Sequence, residues 1–249
     1  MTSTELPALL KRFPKTRPPL PAAFQAIYQT HYKENREGGS TASSLAQRME
    51  QWLHHAVASD LRGGGRSVAT LELGAGTLNQ LRFEASTGPY DVVEPFAELY
   101  AGSPHRHRVR DIFADITEVP ADRRYDRITS VAALEHITNL SEVMAYSALL
   151  LAQDGVFRAA IPSEGGFLWR MGWTFTTGLE FRLRHGLDYG VLMAHEHVNT
   201  AAEIETLAGA LFEDVTIRSY GIGRELSLYR FFAASRPRLD VAVAWLNAE

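Results

Sequence analysis

Residues 68–77, with the sequence VATLELGAGT, constrain the fold of this chain more than any other segment. A run of strand-forming residues leads into Gly74-Ala75-Gly76. Two glycines around one small residue allow a turn tight enough for the backbone to touch a ligand. The residues that follow, Thr77 to Leu81, can open a helix. A strand, a glycine-rich turn and a helix in this order predict a nucleotide-binding α/β unit.

The residues around the glycine turn separate the possible nucleotide folds. A dinucleotide-binding fingerprint needs a third glycine at position 79, where this chain has Asn79. Acidic residues stand at Glu72, two residues before the first glycine, and at Glu94, where the next predicted strand ends. This pattern disfavours a nicotinamide-dependent oxidoreductase.

Four motifs, ELGAGT, YDVVEP, DIFAD and YDRITSVAALEHI, follow one another between residues 68 and 161. In kind, order and spacing they resemble the motifs of class I S-adenosylmethionine-dependent methyltransferases. Residues 212–234 fit the last hairpin of that fold. The resemblance implies an α/β fold whose seven-stranded, mostly parallel sheet has helices on both faces, and S-adenosylmethionine as the cofactor.

The hydrophobic pattern predicts where the elements of this fold lie. Strands are predicted at residues 68–73, 91–94, 108–112, 127–131, 156–161, 212–220 and 227–234. Helices are predicted at residues 22–31, 45–61 and 201–211, and after Asn139, which can form a capping box with Glu142. Strands that alternate with helices favour a parallel sheet.

We divide the chain into four segments around one core domain. Residues 1–66 form a proline-rich arm and a helical extension, and residues 67–162 form the cofactor-binding core. Residues 163–200, rich in aromatic residues and glycine, are an insertion after the fifth strand, and residues 201–249 complete the core. The insertion is too apolar for a disordered linker, so we expect a lid over the pocket that shapes the acceptor site. The resemblance implies that the extension covers the cofactor, with Tyr28, Tyr32 and Arg36 as candidates.

Composition excludes several classes of protein. A chain of 249 residues that is 45% hydrophobic can bury one α/β core with additions. The formal net charge of −4 gives no basic footprint for nucleic acid, and the absence of cysteine excludes disulfides and thiolate zinc sites. No run of about eighteen apolar residues and no signal-peptide core occurs, so we expect a cytoplasmic protein without a membrane span. The oligomeric state stays open, a homodimer being one option.

The resemblance also assigns cofactor contacts. It places the backbone of Gly74, Ala75 and Gly76 against the amino-acid and ribose parts of the cofactor, and Glu72 at its ammonium end. Glu94 is expected to bind the ribose hydroxyls, because a carboxylate accepts two donors at once. The other predicted contacts are Asn79, Pro95, Asp115, Ile116, Ala132 and Glu135, of which Asp115 and Ile116 lie at the adenine and Ala132 and Glu135 at the methionine end. Asp115 has an alternative role as a turn aspartate, and Glu135 as a helix-terminal charge.

Three histidines are candidates for the catalytic base. An unperturbed histidine titrates near neutral pH and can take a proton from a hydroxyl. His136 follows the fourth predicted strand, and His195 and His197 lie in the HEH segment of the insertion. A His-x-His pair also permits metal binding, but no third ligand is evident, so we predict no metal. The alternative for all three is a packing role.

Predicted acceptor contacts are Trp169, Arg170, Asp188 and Tyr189, all within the insertion. Arg170, with Arg182 and Arg184 nearby, could hold a phosphate or carboxylate of the acceptor. The alternatives are that the arginines are solvated at the surface and that the aromatic residues form the insertion's own small core.

The leading interpretation is a methyltransferase that acts on a hydroxyl, or an amine, of a small molecule. The EHITNL segment and the insertion resemble bacterial enzymes that tailor sugars or other precursors of cell-surface polysaccharide. An apolar natural-product or quinone-type acceptor is an alternative that the aromatic insertion allows. A noncatalytic cofactor-binding protein is a third hypothesis, opposed by Glu72, Gly74, Gly76 and Glu94, which a scaffold does not need.

Overall fold

The computed structural model describes residues 10–25, 27, 44–61 and 67–247. Its strands are β1 (Thr70–Leu73), β2 (Tyr90–Val93), β3 (Ile112–Phe113), β4 (Tyr125–Val131), β5 (Leu151–Pro162), β6 (Phe212–Ile222) and β7 (Leu226–Pro237). They form one seven-stranded sheet in the order β3-β2-β1-β4-β5-β7-β6. The pairs among β1 to β5 are parallel, whereas β7 runs antiparallel to both β5 and β6. The predicted fold class is confirmed.

Eight helices lie in the described part of the chain between residues 44 and 247. They are α1 (Ser44–Val57), α2 (Ala97–Tyr100), α3 (Leu140–Leu150), α4 (Phe167–Trp173), α5 (Leu179–His185), α6 (Tyr189–Glu196), α7 (Ala201–Leu211) and α8 (Leu239–Leu246). A π-helical turn, Thr174–Gly178, joins α4 to α5, so the described part of the insertion is largely helical. None of the helices that the structure describes has the length and apolarity needed to cross a membrane.

The core has two sides because neighbouring residues of a strand point to opposite faces of the sheet. Phe232 packs with α3, α7 and α8 in the larger cluster of buried side chains, while the adjacent Phe231 packs with Leu53 and Val57 of α1. Tyr125, Phe157 and Phe212 are fully buried in the larger cluster. Helices therefore cover both faces, as the resemblance implied.

Two local predictions were wrong, and one helix was missed. The third strand was predicted at residues 108–112 but is Ile112–Phe113, and Arg106–Arg108 is a 3-10 turn. The Arg108 guanidinium donates to the carbonyl oxygens of Leu81 and Glu84, which holds that segment in a turn. The Asn139 side chain does not cap α3; it donates to Oε2 of Glu142 at 2.9 Å. Helix α8, which buries Ala242 and Trp245, was not predicted.

The N-terminal arm packs against the insertion and the core. Phe13 lies in the larger core cluster, and the amide of Lys15 donates to the carbonyl of Thr138 at 2.8 Å. Phe24, in the part of the predicted first helix that is described (residues 22–25 and 27), stacks on Phe181 with ring centroids 6.2 Å apart. The candidate cofactor contacts Tyr28, Tyr32 and Arg36 lie outside the described residues.

Candidate functional site

The glycine turn follows β1 at the carboxyl edge of the sheet. Gly74 and Gly76 have φ angles of +66° and +50°, a region that favours glycine. A Cβ atom at Gly74 would lie 2.4 Å from Cβ of Ala133, so the turn can approach the loop after β4 only with glycine there. No described atom lies within 4 Å of a Cβ built on Gly76. The backbone at Gly76 is therefore accessible to a ligand.

Glu94 lies next to this turn at the end of β2. Its Oε2 accepts from the amide of Gly76 at 2.8 Å, and its Oε1 accepts from the amide of Phe96 at 3.1 Å. The side chain is buried, and Pro95 after it is exposed. An ionised carboxylate has about four acceptor positions, so the bonds from described residues leave one position on each oxygen. Glu94 is thus fixed beside the open Gly76 with capacity for two more donors.

Glu72 is a buried carboxyl on β1, two residues before the turn. The hydroxyl of Tyr90 donates to its Oε2 at 2.8 Å. Burial raises the pKa of Glu72 to about 8, the hydrogen bond from Tyr90 opposes the rise, and the charges of Glu84 and Glu94 add to it. A nearby cation would reverse this effect, because it favours the ionised form.

We expect Glu72→Gln to stabilise the protein by about 3 kcal/mol at pH 7. The carboxyl titrates near 4.5 when unperturbed and at about 8 in the fold. Between these values the native state holds one proton more than the unfolded state, so stability falls as pH rises. Glutamine has no proton to lose and keeps an oxygen for Tyr90.

Urea denaturation at about pH 5 and pH 7.5 tests this result, since the gain should be small at the lower pH and large at the higher one. Glu98→Gln, at an exposed position of α2, is the matched control and should change little at either pH. An equal free energy of unfolding for Glu72→Gln and the native chain at both pH values would contradict the pKa argument.

Asp115 and Ile116, the predicted adenine contacts, lie in the turn after β3. Oδ1 of Asp115 accepts from the amide and the hydroxyl of Thr117 at 2.9 and 2.7 Å. Ile116 is 2% exposed and belongs to the larger core cluster. The turn role named as an alternative for Asp115 is therefore present, and the adenine contacts stay predictions.

The loop after β4 brings a buried carboxylate to the same edge of the sheet. Ala132 has a φ angle of 48°, and the 3-10 turn Leu134–His136 follows it. The Glu135 side chain is 2% exposed, and its Oε1 lies 3.7 Å from Nε2 of His136. Among the described residues, Oε2 of Glu135 has no hydrogen-bond partner. The predicted contacts Ala132 and Glu135 are thus close to the glycine turn through Ala133.

His136 and His197 meet beside Glu135. Their ring centroids lie 4.9 Å apart in an edge-to-face arrangement. Nδ1 of His136 lies 3.0 Å from the carbonyl oxygen of Glu196, and Nδ1 of His197 lies 2.8 Å from Oε2 of Glu164. One possible ligand atom from each of Glu135, His136 and His197 lies within 4.8 Å of the other two. We call these three residues the Glu135–His136–His197 cluster.

Carboxylates surround the two histidines, and their contacts shift the pKa values of His136 and Glu164. Burial alone would lower the pKa of His136, but the hydrogen bond to Glu196 and the charge of Glu135 outweigh burial and raise it. Burial would raise the pKa of Glu164, yet the bond and charge of His197 lower it. Glu164 therefore stays ionised and accepts the proton on Nδ1 of His197.

His195 lies apart from the cluster. Its Nδ1 is 2.7 Å from the carbonyl oxygen of Pro18 in the N-terminal arm. The guanidinium of Arg17 donates to the carbonyl oxygens of His195 and Glu196 at 2.8 and 3.1 Å, and to that of His136 at 2.6 Å. Two of the three candidate bases thus come together, and Arg17 ties the loop after β4 to the end of α6.

The predicted acceptor contacts fall in different places. Trp169 stacks on His197 with ring centroids 6.2 Å apart, and its Nε1 donates to Oε2 of Glu164 at 2.6 Å. Tyr189 packs on Phe181 within the insertion's apolar cluster. Asp188 accepts from the amide of Gly190 at 2.8 Å and begins α6. Arg170, like Arg182 and Arg184, is exposed. Only Trp169 of the four contacts a member of the cluster.

Several residues around the cluster were missed in the sequence. The buried Asn199 donates from Nδ2 to the carbonyl oxygens of Leu134 and Ile137 at 2.9 and 2.6 Å, which fixes the loop after β4. Asn199 stands next to the HEH segment, so its position was a usable signal. Glu164 and Arg17 lie far from that segment in sequence, and no local pattern marks them.

The fold is shared with proteins whose sequences have diverged far from this one. No family model matches the chain, and no curated protein matches its sequence. An O-methyltransferase family protein from Burkholderia thailandensis has a TM-score of 0.52 and 19% identity, covering 92% of this chain and 68% of that one. A plantazolicin methyltransferase in complex with SAH has a TM-score of 0.55 and 13% identity, covering 92% and 95%.

A third similar structure is phosphoethanolamine N-methyltransferase 2 from Haemonchus contortus in complex with S-adenosyl-L-methionine. Its TM-score is 0.51 at 14% identity, over 74% of this chain, which spans about half (52%) of that protein. At such identities the likeness establishes the fold, which is that of class I methyltransferases. Two of these proteins are named for different compounds, plantazolicin and phosphoethanolamine, so the fold alone does not identify the acceptor of this chain.

Proposed function

We propose that this protein is a methyltransferase that uses S-adenosylmethionine. The observation that carries the proposal is the pairing of Gly76 with Glu94, which fixes a buried carboxylate beside an open stretch of backbone. The class I methyltransferase fold places this pair at the carboxyl edge of the sheet, where α/β folds bind their ligands.

The residues present fit the polar groups of this cofactor. Within the part of the chain that the structure describes, Glu94 accepts one hydrogen bond on each oxygen, which leaves two positions for the ribose hydroxyls. Glu72 is a buried carboxyl whose ionised form an ammonium group would stabilise. The turn Gly74-Ala75-Gly76 supplies close backbone contact. Asn79, Pro95, Asp115, Ile116, Ala132 and Glu135 complete the proposed contact set. When bound, the cofactor supplies a methyl group activated by its positive sulfur.

The acceptor in this proposal is a hydroxyl, or an amine, of a small molecule. His136 and His197 support it, because they lie together and can accept a proton from the acceptor. The insertion, residues 163–200, is proposed to form the acceptor wall, since Trp169 contacts His197 from it. A sugar or another polysaccharide precursor has the hydroxyls this reaction needs.

An apolar natural product is a second candidate for the acceptor. Trp169 and Tyr229 pack edge to face with ring centroids 5.4 Å apart, beside His197. Burial raises the pKa of Tyr229 to about 12, with the charges of Glu135 and Glu50 adding to it, so the phenol stays neutral. The two aromatic rings are themselves uncharged, and such surfaces favour a flat or apolar part of an acceptor.

Calorimetry with three adenosine-containing compounds tests the cofactor assignment. The chain should bind one molecule of S-adenosylmethionine or one molecule of S-adenosylhomocysteine, and it should not bind NAD. The physical reason is that position 79 lacks the glycine that a dinucleotide turn requires. Saturable NAD binding, or no binding of either adenosyl compound, would refute the proposal.

A further inference from the structure

We infer that the Glu135–His136–His197 cluster binds one divalent cation of the kind that prefers nitrogen and oxygen ligands, such as Zn²⁺, Mn²⁺ or Co²⁺. Two imidazoles and one carboxylate are a ligand set that such cations use in proteins, with further positions left open. The inference stands on these residues alone and does not require the proposed methyl transfer.

The spacing of the three residues suits a single cation. Ligand atoms about 2.0–2.2 Å from one ion lie about 3–4 Å from each other. Oε1 of Glu135 and Nε2 of His136 are 3.7 Å apart, and the possible ligand atoms of all three residues are within 4.8 Å of one another. A small side-chain adjustment is enough to bring them to coordination distance.

Both histidines are oriented by hydrogen-bond partners of the kind that metal ligands commonly have. A histidine that binds a metal commonly donates its other ring N–H to a carboxylate or a backbone carbonyl. His197 has Nδ1 on the carboxylate of Glu164, and His136 has Nδ1 on the carbonyl of Glu196. With Nδ1 engaged, Nε2 is the ring nitrogen left to bind a cation.

Glu135 supplies an independent observation in favour of a cation site. Its side chain is 2% exposed, and its Oε2 has no hydrogen-bond partner among the residues that the structure describes. A buried carboxylate without partners is costly, and buried charges are ordinarily paired or coordinated to metals. Among the described residues, the carboxylate of Glu135 forms an ion pair only with His136. A divalent cation would satisfy this carboxylate.

Cation binding would change what the two histidines do. A nitrogen lone pair that binds a cation cannot also accept a proton, so in the loaded protein His136 and His197 are ligands. Three protein ligands would leave further positions on the cation open. An oxygen atom of a small molecule could occupy one of them.

The test uses the full chain after treatment with a chelator. One sample is titrated with ZnCl₂ and binding is measured by calorimetry; a second is titrated with CoCl₂ and binding is measured by visible absorption. We expect saturation at one ion per chain and absorption bands typical of protein-bound Co²⁺. Glu135→Gln and His197→Gln should each weaken Zn²⁺ binding at least tenfold. Glu164→Gln, which removes the partner of Nδ1 of His197, should weaken it by about 10–100-fold. His107→Gln, at an exposed position, is the matched control and should bind as the native chain does.

Absence of a saturable site in the native chain would overturn the inference, and so would equal Zn²⁺ affinity in all four variants. Urea denaturation checks that each variant folds, and Glu164→Gln with His197→Gln carries the test if Glu135→Gln does not fold. Binding of S-adenosylhomocysteine is measured on the same samples. A chain that binds Zn²⁺ and no adenosyl compound would refute the proposed function and leave the cation site standing.

Discussion

His197→Gln lowers the rate of methyl transfer by about 10²–10⁴-fold and leaves the affinity for S-adenosylhomocysteine near native. The reason is that His197 lies at the proposed acceptor wall, where its described contacts are with Trp169, His136 and Glu164. The same loss is expected for His136→Gln. Turnover is measured as release of S-adenosylhomocysteine in the presence of acceptor, and affinity by calorimetry.

The matched control for these variants is His107→Gln, which should retain native turnover because His107 is exposed in the turn before β3. His195→Gln should lose less than the two cluster variants, since its ring is held by Pro18 outside the cluster. Near-native turnover of both cluster variants across about pH 6–9 would show that positioning carries the reaction and that neither histidine is needed. Addition of chelator separates the two roles, because it abolishes turnover only when the histidines act as cation ligands.

Glu94→Ala weakens binding of S-adenosylmethionine by about 1.5–3 kcal/mol, which is about a ten- to hundredfold loss of affinity or more. The variant removes the acceptor for the ribose hydroxyls and also the acceptor for the amide of Gly76. Glu94→Gln keeps one oxygen for that amide, so it separates loss of turn geometry from loss of the charged acceptor. Its affinity should fall between those of the alanine variant and the native chain.

Glu98→Ala is the matched control for Glu94, because it removes an exposed carboxylate four residues further along the chain. It should bind S-adenosylmethionine as the native protein does. Calorimetry at one ionic strength gives the affinity of the native chain and of the three variants for S-adenosylmethionine. Native affinity in Glu94→Ala would mean that Glu94 serves only the turn and that the ribose is held elsewhere.

Interactions between residues close in the sequence determined several helices and strands of the fold. Helix α7 occurs at Ala201–Leu211 as predicted, and the Thr200–Glu203 capping box fixes its first turn. The strands that lead to Gly74 and to Glu94 also occur where periodicity placed them, because both are short, apolar and bounded by turn-forming residues. Capping boxes and hydrophobic periodicity depend on residues a few positions apart, so they predict helices and strands without knowledge of the rest of the chain.

Elements whose conformation depends on residues distant in the chain could not be predicted from the sequence. The guanidinium of Arg108 donates to the carbonyl oxygens of Leu81 and Glu84, in another part of the chain. This contact favours a 3-10 turn where the start of a strand was predicted. Helix α8 forms where Trp245 can bury itself against α3 and α7. Such contacts compete with local propensity and are decided by tertiary packing.

The sequence by itself determined the fold class and the glycine turn with its two flanking carboxylates, because these follow from residues close together in the chain. Only the tertiary structure decided that Glu135 and His136 meet His197 and that His195 stays apart. The sequence showed a His-x-His pair without a third ligand, whereas folding brings Glu135 within reach of His197. Asn199 and Arg17 hold that arrangement by hydrogen bonds to backbone carbonyls across the sheet edge. Contacts between segments so far apart depend on how the sheet and the insertion pack, which no local pattern encodes.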